Sequence, residues 1–353
     1  MKQVYLSLLL AGLTAAPALG QKTTVNAFPK PLAPVANAGM KAPQFHLPSA
    51  IDDKKKGITM YAGQRLDQSK HRSWVKWQTG DSFYFTKIYE YIHHDKYNED
   101  QQRGIYMGAY DSSNDTYYAF FNMHYTYGDM PMALAKVDML TGDTTNVFQF
   151  ADLAEPDVEQ TAWYNGRYKY AMAYDPVQKV MYALGADYEN GDPNLGYTVL
   201  YEVNLNATTL NDLFTKVKDM DGLYWDFCFD TQGNAWFAQK YGGSDGIVKG
   251  TNLVKMDGNF NRISEVKMQS EWGEDINSIY FSTMYFDNST GDLYYLPCSD
   301  YGSTSLYKVN PTTGISQSVA WFNQGNHFTG LYIPYLTADN GAAPARVSGP
   351  VSY

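Results

Sequence analysis

The residues of this sequence best suited to chemistry are carboxylates and aromatic rings that gather in a few loop segments. Aromatic rings stack on the apolar faces of pyranose sugars, and short polar side chains bind sugar hydroxyls; ligand sites commonly combine apolar surface with a few such polar groups. The mixture favours recognition of a glycan or another surface ligand, although the same rings could simply cap strands while Asp forms turns. The candidate ligand-binding residues are Trp163, Asp187, Glu189, Trp225, Asp226, Tyr241, Trp272, Glu274, Asp300, Tyr301 and His327.

The same carboxylates could serve a glycosidase, but no sequence motif supports that activity. A glycosidase needs two carboxyl groups about 5–9.5 Å apart, one of them an acid. Four candidate carboxylates are available, but no known catalytic motif surrounds them, and no HExxH, GxSxG or phosphate-binding loop occurs. We therefore assign no catalytic residue. The four are Glu189, Asp226, Glu274 and Asp300.

Metal-binding patterns are weak. The segments Asp187–Asp192 and Asp219–Gly222 offer oxygen ligands, yet neither has the spacing of an EF-hand, and Asp/Gly turns explain both. We expect no metal site and no cofactor, with Ca²⁺ left open. The only two cysteines, Cys228 and Cys298, are predicted to be free and buried rather than joined in a disulfide.

Composition predicts an all-β protein and excludes one class of partner. The chain is 44% hydrophobic and 16% aromatic, with 29 Gly, and shows no long helical periodicity. Its formal net charge is −10. A nucleic-acid partner is excluded because binding a phosphate backbone requires a basic surface.

Four units of similar sequence run through the chain. The clearest, residues 280–322, contains four short apolar-aromatic runs separated by turn residues. Each unit has a first strand that ends in an aromatic residue and Asp, and these Asp residues are spaced 55 to 64 positions apart. Four strands per period is typical of a β-propeller. We expect the repeated Asp to form turns rather than a catalytic set. They are Asp111, Asp175, Asp230 and Asp287.

A fifth unit is split between the two ends of the chain. Residues 57–92 match the second, third and fourth strands, and Phe328–Pro334 matches a first strand. Pairing the C-terminal strand with the N-terminal three closes the ring and leaves no open edge. The sequence therefore predicts five four-stranded blades. Asp226 lies on the channel side of a first strand, where other blades carry Met, Ala, Thr or Gly. It is predicted to be either an acid, base or cation ligand, or a solvated or hydrogen-bonded residue at the channel mouth.

Over residues 57–336 the repeats resemble secreted bacterial β-propellers of the YVTN/quinoprotein-like kind. The Gly-His and Trp-Asp marks of WD40 blades and the double glycines of kelch blades are missing. The tail Gly341–Ser348 resembles the linker into a fibronectin-III-like module, which implies a longer parent protein. The resemblance implies a fold and does not specify a function.

The ends of the chain predict export. Lys2, the apolar segment Val4–Leu13 and the small residues before Gln21 form a signal peptide, and the apolar segment is too short to span a membrane. The predicted domains are a signal peptide at 1–20, a Pro/Ala-rich linker at 21–56, the propeller at 57–336 and a C-terminal linker at 337–353. The mature protein is expected in the periplasm, at the cell surface or outside the cell.

These observations favour a secreted, monomeric, non-catalytic propeller that binds a glycan or protein ligand through its aromatic and acidic loop face. Two alternatives stay open at this point. One is a five-blade enzyme of the glycosidase type, and the other is a structural scaffold for downstream modules.

Overall fold

The fold is taken from a computed structural model. All of its described residues lie in the compact unit Ala42–Tyr353. The structure describes residues 59–66, 73–79, 85–91, 93–94, 100–101, 103–125, 128–149, 168–186, 198–207, 210–242, 248–278, 282–287, 290–299, 302–333, 335–338 and 342–346.

Twenty-one of the 25 β-strands in the described residues belong to the five blade sheets, and the helix content of these residues is a single short turn. The strands of the first half are β1 (Thr59–Leu66), β2 (Ser73–Gln78), β3 (Thr86–Glu90), β4 (His93–His94), β5 (Asp100–Gln101), β6 (Arg103–Asp111), β7 (Thr116–Tyr125), β8 (Gly128–Val137), β9 (Thr144–Gln149), β10 (Tyr168–Asp175), β11 (Val180–Ala186) and β12 (Thr198–Val203). Those of the second half, with helix α1 (Leu210–Leu213), are β13 (Phe214–Asp219), β14 (Tyr224–Phe229), β15 (Ala235–Gly242), β16 (Val248–Met256), β17 (Arg262–Lys267), β18 (Gln269–Ser270), β19 (Thr283–Asp287), β20 (Asp292–Leu296), β21 (Ser305–Val309), β22 (Ile315–Trp321), β23 (His327–Tyr332), β24 (Tyr335–Ala338) and β25 (Ala342–Arg346).

The strands form five antiparallel four-stranded blades, as the repeats predict. Blade 1 has the order β23-β1-β2-β3, and blades 2, 3 and 4 are β6 to β9, β10 to β13 and β14 to β17. Blade 5 comprises β19 to β22, with the two-residue strand β18 added beside β22. Helix α1, the hairpin β4-β5 and the hairpin β24-β25 lie outside this repeat.

Ring closure follows the predicted route. Strand β23 pairs antiparallel with β1, with Tyr332 opposite Tyr61 and Phe328 opposite Gln64. The inner position of blade 1 is thereby filled from the C-terminal end, and the edge that β1 would otherwise expose is covered.

The repeated Asp residues form turns, as predicted. At the end of the first strand, the side chains of Asp111, Asp175 and Asp230 each accept a hydrogen bond from the backbone N–H two residues later, at 2.8 to 2.9 Å. At Asp287 the corresponding turn is closed by its carbonyl oxygen, which accepts from the Gly291 N–H at 2.7 Å. The third-strand residues behave alike, each accepting from the N–H two positions on at 2.9 to 3.0 Å; they are Asp138, Asn204, Asp257 and Asn310.

The hydrophobic core lies between neighbouring blades and is dominated by aromatic rings. Trp74 of blade 1 packs on Tyr117 of blade 2, with ring centroids 4.9 Å apart. Tyr182 of blade 3 packs on Phe260 of blade 4, with centroids 5.2 Å apart. Because adjacent sheets share these rings, the high aromatic content of the sequence serves inter-blade packing first.

Side-chain hydrogen bonds join all five blade junctions around the axis. Each of these bonds crosses from one blade to the next, so that the ring is tied by polar contacts as well as apolar ones. The donor and acceptor pairs are Thr329 Oγ1 to Tyr106 O (3.1 Å), Tyr174 OH to Ser113 Oγ (2.8 Å), Tyr170 OH to Tyr224 O (2.7 Å), Met284 N to Asp226 Oδ2 (2.5 Å) and Leu331 N to Thr283 Oγ1 (2.8 Å).

Small residues near the axis allow one further contact of this kind. The hydroxyl of Tyr117 donates to the carbonyl oxygen of Gly330 at 2.6 Å. A Cβ atom on Gly330 or Gly108 would collide with this hydroxyl group. Glycine is therefore required at both positions by the close approach of the tyrosine.

Two smaller predictions can be compared with the structure. Cys228 and Cys298 are free and buried, as predicted. Among the described residues there is no helix long and apolar enough to cross a membrane.

A matched pair of glycine substitutions tests the close contact between blades 4 and 5 at Gly314. Gly314 and Gly291 have nearly the same positive φ, 75° and 76°. A Cβ on Gly314 would collide with the Lys267 carbonyl oxygen, whereas Gly291 has open space. We expect Gly291→Ala to lower the free energy of unfolding by about 1 kcal/mol through backbone strain alone. Gly314→Ala should cost about 2 kcal/mol more, because it adds a steric clash. Equal losses in denaturant unfolding would contradict this packing.

Candidate functional site

The structure describes six of the eleven candidate site residues. Trp163, Asp187, Glu189, Asp300 and Tyr301 lie outside the described residues, and their roles stay predictions. The other six lie on blade 4, on the connection from blade 4 to blade 5, and at the start of β23; they are Trp225, Asp226, Tyr241, Trp272, Glu274 and His327.

Asp226 is buried at the junction of blades 4 and 5, with 5% of its surface exposed. Its Oδ2 accepts the Met284 N–H, and Thr283 also contacts the carboxyl group. Burial raises the pKa of Asp226 well above its usual value, although the hydrogen bonds oppose this. Of the two alternatives predicted for Asp226, its environment corresponds to the hydrogen-bonded one.

Trp225 forms a second, half-buried cluster with a lysine that the sequence did not single out. The Nζ atom of Lys240 lies 3.9 Å from the centroid of the Trp225 ring, and Tyr170 contacts the same ring edge-on at 5.7 Å. Burial lowers the pKa of Lys240 to about 7. The face of the indole ring favours the ammonium form and opposes that shift.

His327 is engaged with a thiol. Its Nδ1 lies 3.0 Å from the Sγ of Cys298, which is 1% exposed. The preceding residue, Asn326, accepts a hydrogen bond from Gln64 of β1 at 2.8 Å. These contacts join the start of β23 to blades 5 and 1, and a thiol so fully covered is typical of a structural cysteine.

Trp272 is the most exposed large hydrophobic side chain in the described residues, at 80%. It lies at the tip of a tight turn that begins at Ser270. The Ser270 N–H donates to the Glu274 carbonyl at 2.7 Å, and the Ser270 hydroxyl accepts the N–H groups of Trp272 and Glu274 at 3.3 and 3.1 Å. Gly273 completes the turn with a φ of +81°, a conformation that favours glycine.

The turn is also attached to the neighbouring blade. Strand β18 runs parallel to β22, with Gln269 beside Ile315 and Ser270 beside Ser316. The Gln269 N–H donates to Gly314 O, and the Glu271 N–H donates to Ser316 O, both at 3.1 Å. The base of the turn therefore spans blades 4 and 5. The backbone N–H groups of Gln269, Ser270 and Glu271, which precede Trp272, are all hydrogen-bonded.

A polar cluster lies directly beside this turn. Asp275 Oδ2 accepts a hydrogen bond from Tyr241 OH at 2.8 Å. Its Oδ1 accepts from Gln269 Nε2 at 2.9 Å and lies 2.7 Å from Lys267 Nζ. The bonds from Lys267, Gln269 and Tyr241 lower the pKa of Asp275 to about 2. Trp272 and Glu274, both predicted from sequence, lie on the turn, and Tyr241, also predicted, reaches the same segment from β15 through Asp275.

The three partners that complete this cluster were missed. Lys267, Gln269 and Asp275 carry no motif, and a lysine near the end of an outer strand is unremarkable in sequence. They converge because the chain turns back on itself at the bridge between Gln269 and Asp275, and Tyr241 joins them from β15.

Carboxylates proposed as weak metal ligands are paired with cations where the structure describes them. Asp219 lies 2.8 Å from Lys216 Nζ, and Asp221 lies 3.1 Å from Arg262 Nη2. Within the part of the chain that is described, no three His, Cys, Asp or Glu side chains converge as a metal ion would require. Ca²⁺ binding by the remaining loops stays an open expectation.

No protein-family model matches this chain. No curated protein matches it either. Similar solved structures include a protein of unknown function from Bacteroides caccae, with 8% identity, a TM-score of 0.39, and coverage of 78% of this chain and 98% of the other. Regucalcin from Agrobacterium tumefaciens has 11% identity, a TM-score of 0.35 and coverage of 74% and 77%. An N-acetylgalactosamine deacetylase from F. plautii has 9% identity, a TM-score of 0.42 and coverage of 81% and 83%. Likenesses this low carry no argument about activity.

The Lys240 environment predicts a pH dependence of stability. Unfolded lysine keeps its proton to about pH 10, whereas folded Lys240 loses its proton near pH 7, so the unfolded state binds more protons in between. Stability should therefore rise with pH across this window. Relative to Lys240→Met, we expect wild type to gain about 1–2 kcal/mol from pH 7 to pH 10, after allowance for solvent access and the Trp225 ring.

Lys255 provides the control for this measurement. Its Nζ also lies over a tryptophan, 4.8 Å from the Trp236 centroid, but it has the Asp230 carboxylate 3.9 Å away. Lys255→Met therefore shows how much of the change in stability comes from losing a lysine contact with an indole ring. A flat difference between wild type and Lys240→Met from pH 7 to pH 10 would show that Lys240 is not desolvated.

Proposed function

We propose that this protein is an exported, non-catalytic binding propeller that recognises a glycan at the Trp272 turn. The observation that carries the proposal is the 80% exposure of Trp272 on a turn held by both adjoining blades. Burying a large apolar side chain contributes about 1.5–3 kcal/mol. A ligand that covered this ring would therefore gain binding free energy of that order.

The form of the site supports a sugar ligand. A single flat ring matches the apolar face of one pyranose unit, and the neighbouring hydroxyl and carboxylate of Tyr241 and Asp275 can exchange hydrogen bonds with sugar hydroxyls. Because these groups are already fixed by Gln269 and Lys267, little side-chain entropy is lost on binding.

The two alternatives have less support. The glycosidase reading needs an acid and a second carboxylate open to substrate, whereas Asp226 is buried and bonded to Met284. A pure scaffold would give Trp272 no ligand, so it predicts that replacing this residue changes no binding property.

The finer parts of the proposal concern the ends of the chain. We retain residues 1–20 as a cleaved signal peptide, a mature monomer in the periplasm, at the cell surface or outside the cell, and a fibronectin-III-like module downstream. The kinship with YVTN/quinoprotein-like repeats is likewise retained as a proposal. Each rests on the residue patterns described above.

A glycan array probed with the purified full chain tests the proposal. We expect Trp272→Ala to reduce binding at least about tenfold, because the stacking surface is removed (about 1.4 kcal/mol). Trp321, which is also exposed on the outer strand β22, supplies the control, and Trp321→Ala should leave binding unchanged. Trp225→Ala tests the second cluster. Binding that is absent, or that survives Trp272→Ala, would count against the proposal.

A further inference from the structure

Two glutamates flank the exposed tryptophan. Glu271 precedes Trp272 and Glu274 follows two residues later, and both side chains are exposed. Neither makes an ion pair within the described residues, whereas the adjacent Asp275 has Lys267 at 2.7 Å. Within the part of the chain that the structure describes, these two negative charges beside the ring are therefore not balanced by an ion pair, and the net charge of the whole chain is −10.

We propose that the Trp272 turn binds a positively charged sugar, namely a pyranose that carries a free, protonated amine. This inference rests on the proposed function and names its ligand class. An ammonium group is attracted by the negative face of an indole ring and by carboxylates on either side of it. The same carboxylates repel uronic acid and sulfated sugars, and the negative potential of the whole chain acts in the same sense.

A basic peptide would satisfy the same charges, but the sheet edge does not favour it. Peptides commonly bind by adding a strand to an exposed edge or by filling a groove. The part of β22 nearest the turn, Ile315 and Ser316, is already paired with β18. The edge beside Trp272 is therefore occupied, and a single projecting ring suits one sugar unit better than an extended chain.

The test compares three β-1,4-linked oligosaccharides of equal length that differ in charge. They are a fully deacetylated glucosamine oligomer, its N-acetylated counterpart and an oligomer of glucuronate. Binding to the full chain is measured by calorimetry at mildly acidic pH, where the sugar amine is protonated, and is repeated at 1 M salt, where the Debye length is about 3 Å.

Wild type should bind the amine about tenfold more tightly than the N-acetyl form, and the glucuronate more weakly than either. The double variant Glu271→Gln/Glu274→Gln should lose the preference for the amine and keep its affinity for the N-acetyl form. High salt should reduce the preference in wild type. The control Glu202→Gln/Asp212→Asn removes the same charge from exposed sites on β12 and on helix α1 and should behave as wild type.

The outcomes separate the inference from the proposed function. If the N-acetyl or glucuronate oligomer binds at least as well as the amine, or if the amine preference survives in the double glutamine variant, the cationic ligand class is wrong while glycan binding stands. If the control pair abolishes the preference, the overall charge rather than the turn is responsible, and the inference is again wrong. If no oligosaccharide binds, or if binding is unaffected by Trp272→Ala, the proposed function itself fails.

Discussion

The antiparallel pairing of β23 with β1 is the interaction on which the rest of the structure depends. It joins strands from opposite ends of the described chain and gives blade 1 its innermost strand. Without it, both blade 1 and blade 5 would lose their neighbour, and the edge of β1 would be exposed. The inner strands are then tied across all five junctions by side-chain hydrogen bonds, such as that from Leu331 N to Thr283 Oγ1. Closure of the ring therefore fixes the spacing of neighbouring blades, on which the contacts between them depend.

The candidate site shows this dependence directly. Trp272 lies on the connection between blades 4 and 5, and its turn is held by hydrogen bonds to Gly314 and Ser316 of blade 5. The close approach of Gly314 to the Lys267 carbonyl allows these bonds to form. A loop without such bonds would lose backbone conformational entropy when a ligand binds, whereas the backbone of this turn is already held by hydrogen bonds. The site is thus a product of how two blades meet rather than of any single segment.

Sequence reasoning predicted the fold well because each blade repeats the same local chemistry. The Asp and Asn residues that end the first and third strands form turns through contacts two residues away, which a sequence reveals directly. The site was predicted only in part. Trp272 and Tyr241 were predicted as loop aromatics, and the loop position of Tyr241 was wrong because it lies on β15. Lys240, Lys267 and Asp275 gain their roles from contacts across strands. Asp226 likewise accepts a hydrogen bond from Met284, a residue 58 positions away, and no local pattern indicates that contact.

The Trp272 turn is the proposed ligand-binding surface. Nuclear magnetic resonance titration of the full chain with an amino-sugar oligomer tests it most directly. The account predicts that the Trp272 indole N–H and the amides of Ser270 to Asp275 shift together and saturate, while the Trp225 indole stays unchanged. Shifts that cluster at Trp225 and leave Trp272 unmoved would contradict it.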